Sequence, residues 1–326
     1  MVASEIPACV VHSIALIVAA MGATTVSAAD VAYGQLAPGA ASYSEVKGVQ
    51  AEICRDHLFD PSFGKVRIPT GYRLVSAAEV SKKDKDVASL LERDGRYQSY
   101  FVGSLCFMSV EHFVVDGVRV HPSGPTPMAF WWARAEEDPR AKRDARMLGK
   151  TQWLQLASWY APATDRARIV GTDPMAQFVE LEMNQIGPNQ WKLRLVLANE
   201  VVTAEVRGDG QRKKRNAPQP GFMTVPFTGE GAAFFSVYTY FGHHHQDAKG
   251  SWRAAGSGVF SGAFALRDEA QVFGTFFQDG WQARGGLYRS VTPDAQQAVP
   301  ADGPRPTGSP AAERNRWASA SERAKK

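Results

Sequence analysis

From Tyr97 onward, apolar and polar residues alternate in short runs, and the alternation predicts strands. Trp191, Leu193, Leu195 and Leu197 fall on one side of such a run, with Lys192 and Arg194 on the other. That period of two is the mark of a strand with one buried face. Similar runs cover 99–110, 128–133, 151–160, 167–170, 175–183, 201–207, 221–227, 233–241, 251–260, 262–266, 271–278 and 282–288. Glycines or polar turns separate most of them. Asp116-Gly117 sits between two apolar runs and supplies the positive φ angles of a tight turn, so 113–120 reads as a hairpin. Many short strands with turns between them predict an all-β fold, an antiparallel barrel or barrel-like sandwich. The run at 234–241 is apolar on both sides, which suits a barrel wall that is covered outside and faces a filled or ligand-holding interior.

Upstream the pattern changes. Residues 43–59 read as a short helix. Ser76 and Glu79 have capping-box spacing, and Val80, Val87, Leu90 and Leu91 form an apolar stripe opposite Lys82, Lys83, Asp84, Lys85 and Asp86. This predicts a small helical N-terminal element over 30–96, ahead of a β domain over 97–290. Residues 134–150 mix charges of both signs and read as a solvated loop or short helix. Residues 291–326 hold almost no large apolar side chain and are expected to be disordered.

The first residues form a leader pattern. Residues 10–20 are apolar but too few to span a bilayer, and small residues follow through Ala29. Cleavage is expected after Ala28 or Ala29, although Met1–Val11 carries no Lys or Arg. A signal peptide over 1–29 implies export to the periplasm or the extracellular space. No later apolar run approaches the length of a transmembrane helix, so the mature chain is expected to have no such segment. Export leaves Cys54 and Cys106 as a pair in an oxidising compartment, where they are either bonded or two buried thiols. The formal net charge of +4 over 326 residues is too small to argue for a nucleic-acid partner.

Three sets of residues carry candidate chemistry. His243 and His245 point to one side of an extended chain, and with Asp247, or a distant His112 or His121, they have the donors for a divalent metal. They are also candidate general bases, or polar loop residues only. Lys150, at the entry to an aromatic run, is an amine nucleophile if it is desolvated and a snorkelling surface lysine otherwise. Trp153, Gln155 and Trp159, joined by Tyr238, Tyr240, Gln278 and Trp281, offer rings and amides suited to lining a cavity, or else to filling a solid core. Glu180 and Glu182 are expected to pair with Lys192 and Arg194 across strands. Arg212–Arg215 reads as a soluble loop tip or a polyanion patch. No G-x-S-x-G elbow and no C-x-x-C pair appears.

The leading expectation is an exported protein that binds a small amphipathic or carbohydrate-like ligand in an aromatic-lined cavity. The alternative is a lyase or hydrolase acting in the same cavity through His243 and His245 or Lys150.

Overall fold

The computed structural model describes residues 39–60, 62, 68, 72–137, 139, 153–215, 219–224, 233–240, 243–264 and 274–289, with side chains undescribed for 86 and for 215–243. The expected leader, Lys150 and the expected C-terminal tail lie outside these residues.

The chain is mostly β, as its alternation predicts. The first strand, β1 (Ser42–Phe59), corrects the reading of 43–59 as a helix. Both its faces are covered, so buried residues do not mark out a single stripe, and charged residues stand among them. It is followed by β2 (Tyr72–Leu74), then α1 (Ala77–Val80) and α2 (Lys85–Arg93). One helix was expected across 76–94, and a turn at 81–84 divides it. The capping box is present: Ser76 accepts from the Glu79 amide, and the Glu79 carboxylate accepts from Ser76. Val87 and Leu90 bury their stripe against Leu58, Tyr97 and Val102.

β3 (Phe101–Val115) turns through Asp116 (φ 48) and Gly117 (φ 79) into β4 (Val118–Arg119), the expected hairpin. β5 (Thr126–Glu137) and β6 (Trp153–Tyr160) follow. A strand was expected at 167–170, but Asp165 caps a helix there, α3 (Arg166–Thr172). Next come β7 (Ala176–Phe178), β8 (Leu181–Gly187), β9 (Gln190–Val196) and β10 (Glu200–Arg215). The last extends through Arg212–Arg215, so that basic run is strand and not loop tip. β11 (Gln219–Thr224), β12 (Ala233–Tyr240) and β13 (His243–Gly256) lead to α4 (Val259–Ala263), where strands were expected. β14 (Thr275–Asp279) and β15 (Gln282–Arg289) complete the fold.

These strands form one sheet in the order β7-β6-β5-β3-β1-β14-β13-β10-β9-β8, antiparallel except for the β6–β7 pair. The expected barrel is corrected. Among the described residues the sheet does not close: β7 and β8 end the path without pairing to each other, and β1 divides one edge between two partners. Ser42–Val46 pairs with β15, which carries β12 and β11, while Glu52–Arg55 pairs with β14. Gly48 (φ 64) and a register shift between Val49 and Ala51 bend the strand at this fork.

Each face of the central strands has a core. On one side Trp131, Trp159, Phe107, Leu193, Val202 and Phe260 pack together. Trp191, Leu193 and Leu195 point inward as predicted, and Arg194 pairs outward with Glu180 and, at 3.8 Å, with Glu182. On the other side Val49, Met108, Phe113, Met128 and Tyr160 form a second core, with Trp281 against it.

Candidate functional site

Directly opposed residues in a sheet share a face, so the register shows what stands beside what. On the second-core face, one row runs His245, Gln278, Glu52, Met108, Met128, Tyr160 across β13, β14, β1, β3, β5 and β6. The next runs Phe276, Cys54, Cys106, Phe130, Ser158. A third runs Asp56, Ser104, Trp132, Gln155. Three alternate residues of β1 thus bring Glu52, Cys54 and Asp56 to the same side.

Glu52 stands at the fork. As a residue it is half-buried, but its carboxyl end lies beneath Trp281, whose indole N–H donates to Oε2 at 2.9 Å. Oε1 is 3.7 Å from Cys54 Sγ. Burial penalises the carboxylate and pushes this group up to about 7, and the indole bond reverses only part of that. Cys54 and Cys106 are bonded to each other. Burial also raises Asp56, against the pull of Ser104 and Arg134. Burial raises Asp173 as well, just past α3; its carboxylate accepts from Gln155 (3.1 Å), the Tyr160 hydroxyl (3.0 Å) and the Met175 amide (3.1 Å).

The opposite face holds a second polar cluster. His57 is fully buried. Its Nδ1 donates to the Arg55 carbonyl at 3.2 Å, and its Nε2 accepts from the Trp131 indole at 3.2 Å. Burial keeps the ring neutral, with its pKa lowered to about 4. Phe59, Phe260 and Phe264 surround it, and the Arg55 guanidinium lies 4.8 Å over the Phe264 ring. With both ring nitrogens engaged by the protein, His57 is a structural histidine. The helix carrying Phe260 is held by Glu200, which accepts from the Phe260 amide (3.3 Å), the Ser261 amide (2.8 Å) and the Ser261 hydroxyl (3.0 Å).

The expected ligand-lining set is divided. Trp153 and Gln155 share the second-core face. Trp153 lies under the Arg134 guanidinium at 5.2 Å, and Gln155 is occupied by Asp173. Trp159 is buried in the first core, 6.1 Å from the Phe260 ring. The reason is a bulge. Trp131 pairs with Ala157 but Trp132 with Gln155, so Leu156 is extra and the alternation flips. Tyr238 and Tyr240 lie on β12, with side chains outside the described set. Gln278 stands opposite Glu52 in the register, and Trp281 hydrogen-bonds to Glu52.

His245 is on a strand and not in a turn. It stands next to Gln278, its ring 5.8 Å from that of Phe276. The side chain of His243 is outside the described set, and Asp247 is exposed. Among the described residues, the ligand-type side chains that gather within 4.8 Å are Glu52, Cys54 and Cys106, without His245 or Asp247. The two sulfurs are already spent on their mutual bond. Sequence reasoning passed over Glu52, Asp56 and Asp173, because a lone carboxyl in an apolar run carries no spacing signal. No helix of the described residues is long and apolar enough to cross a membrane.

No protein-family model matches the sequence, and no curated protein matches it. Among solved structures, the chain is similar to the enduracididine biosynthesis enzyme MppR complexed with pyruvate, with a TM-score of 0.41 and 10% identity over 76% of this chain and 87% of that one. The same enzyme complexed with the condensation product of pyruvate and imidazole 4-carboxaldehyde has a TM-score of 0.40 and 11% identity over 79% and 92%. Acetoacetate decarboxylase from Legionella pneumophila subsp. pneumophila str. Philadelphia 1 has a TM-score of 0.42 and 7% identity over 78% and 88%. At these scores the likeness carries no residue and no substrate across.

The expectation of a non-enzymatic binding module is corrected. The expected ring lining is split between two faces, and the Glu52 carboxyl, bonded by Trp281, stands opposite Gln278.

Proposed function

We propose that the protein is an enzyme of the lyase or hydrolase class, acting on a small carbonyl compound at the fork of the sheet with Glu52 as general acid–base. One observation carries this reading: Glu52 has its carboxyl buried under the Trp281 indole and stands in one row with Gln278 and His245. A carboxyl that titrates near neutrality can both hold and release a proton at working pH. Gln278 has an amide N–H to offer an oxygen that gains charge. His245, one strand further, extends the row with a second proton acceptor. Lys150 is the amine nucleophile of the lyase form of this reading, and borohydride trapping of a carbonyl adduct tests it.

Small 2-oxo acids, 3-oxo acids and esters, whose carbonyl oxygen gains charge as the carbon reacts, are the first substrates to try. Export through a leader over 1–29 belongs to the same proposal, and cell fractionation tests it.

The deciding experiment incubates the full chain with a set of 2-oxo acids, 3-oxo acids and small esters, followed by NMR. Turnover by wild type and a loss of about 10²–10⁴-fold in folded Glu52→Gln support the reading. Equal turnover by the variant, or none by wild type across the set, counts against it.

A further inference from the structure

The Cys54–Cys106 bond lies beside Glu52 and has no part in the reaction proposed above. It joins directly opposed residues of β1 and β3, with Cα atoms 4.0 Å apart. The two strands pair from Ser44–Val115 to Phe59–Phe101, on both sides of the bond. That ladder keeps the strands in register with or without the sulfurs, so the bond can open while the fold stays closed.

Each sulfur has a proton-bearing neighbour. Glu52 Oε1 is 3.7 Å from Cys54 Sγ, and Ser104 Oγ is 3.6 Å from Cys106 Sγ. The Trp281 indole holds the other Glu52 oxygen, which leaves Oε1 as the atom facing sulfur. Both cysteines are buried residues, and they differ in their neighbours: the carboxyl lies beside Cys54 and a hydroxyl beside Cys106. Cys54, beside the carboxyl, is the sulfur that can take a proton as it leaves, so the incoming group attacks Cys106.

We propose that Cys54, Cys106 and Glu52 form a thiol–disulfide exchange centre that takes electrons from a dithiol. The dithiol's thiolate attacks Cys106 Sγ. A new S–S bond forms there, the Cys54–Cys106 bond breaks, and Cys54 leaves with the Glu52 proton. The second thiol of the dithiol then attacks its partner sulfur in the mixed disulfide and releases Cys106 as a thiol, its own proton passing over. The dithiol departs as a disulfide, two electrons have reduced the protein, and Glu52 regains a proton from solvent. Proton delivery to the leaving sulfur matters because a poor leaving thiolate slows exchange.

The groups facing Glu52 are Met108 from β3, Gln278 from β14, Trp281 from the turn between β14 and β15, and Cys54 on its own strand. The titratable side chain next in the row is His245, two strands away. On the strand of Glu52, Asp56, also raised by burial, stands on the same side opposite Ser104, so the difference between the wild-type and Glu52→Gln profiles is what reads Glu52.

The test treats the full chain with dithiothreitol in native buffer and counts alkylated thiols by mass, with circular dichroism recorded alongside. Both thiols are expected to appear while the chain stays folded. The rate per dithiothreitol thiolate is expected to fall about tenfold between pH 6 and pH 8, as Glu52 loses its proton. Glu52→Gln should be about tenfold slower than wild type at pH 6 and should lack that decline. Thiols that appear only in denaturant overturn the proposal. So does a flat wild-type profile, which needs no variant to fold, or a Glu52→Gln rate equal to wild type at pH 6. The readout is the disulfide itself, so failure to turn over carbonyl compounds leaves this inference standing.

Discussion

Trp131 donates its indole N–H to Nε2 of His57 across β3, with Gly103 lying between them. A donor at Nε2 and an acceptor at Nδ1 fix one neutral tautomer, and burial disfavours the charged form.

The cost of acid follows from that neutrality. His57 is lowered from 6.5 to about 4, so the unfolded chain takes up its proton first as pH falls. Its contribution is complete above pH 6.5 and is lost on the way down through 4, about 3 kcal/mol in all. Urea unfolding of wild type and His57→Leu between pH 4 and 7 should show their difference in stability shrinking as pH falls. A difference independent of pH would refute this.

Gly103 leaves room for the pair. A Cβ there would stand 3.0 Å from His57 Nε2, 3.0 Å from Trp131 Nε1 and 3.1 Å from Phe59 Cδ1. All three are buried ring atoms with little room to move. Gly103→Ala should destabilise by about 1–3 kcal/mol and change the near-UV signal of Trp131. An unchanged melting temperature would show that the rings can shift freely.

Glu52 has the opposite slope. Its pKa is raised from 4.5 to about 7, so the native state holds a proton that the unfolded state has given up. That contribution is complete below pH 4.5 and is lost as pH rises through 7, again about 3 kcal/mol. Comparing Glu52→Gln with wild type cancels the other titrating groups, including Asp56 and Asp173. Relative to wild type, the variant should gain stability between pH 4.5 and 8. A constant gap across that range would mean the carboxyl is hydrated in the native state.

Glu200 anchors α4, which carries Phe260 onto His57 and Trp131. Glu200→Ala leaves a buried helix start without its acceptor. It should destabilise by about 2–3 kcal/mol, with Glu200→Gln recovering part of that. Thermal melts decide it; equal losses in the two variants would leave side-chain volume as the explanation.

Local patterns were legible where local chemistry decides. The alternation of Trp191, Leu193 and Leu195, the Asp116-Gly117 turn, the Ser76–Glu79 cap and the pairing of Arg194 with Glu180 all read directly from spacing. Residues 43–59 did not, because a strand covered on both faces loses the one-sided period that identifies it. The grouping of Trp153, Gln155 and Trp159 failed at a single extra residue, Leu156, which period counting cannot see.

The amino-acid order alone determined that this chain is mostly β, and where several of its turns and caps fall, since those depend on residues a few positions apart; it did not show that Ser42–Phe59, Phe101–Val115 and Glu200–Arg215 are long continuous strands. Only tertiary structure decided that Glu52 lies under Trp281, 229 residues away, beside the Cys54–Cys106 bond. Strand order and register are set by how both faces of β1 are buried at once, and that burial, which no local spacing encodes, is also what holds the Glu52 carboxyl near neutrality.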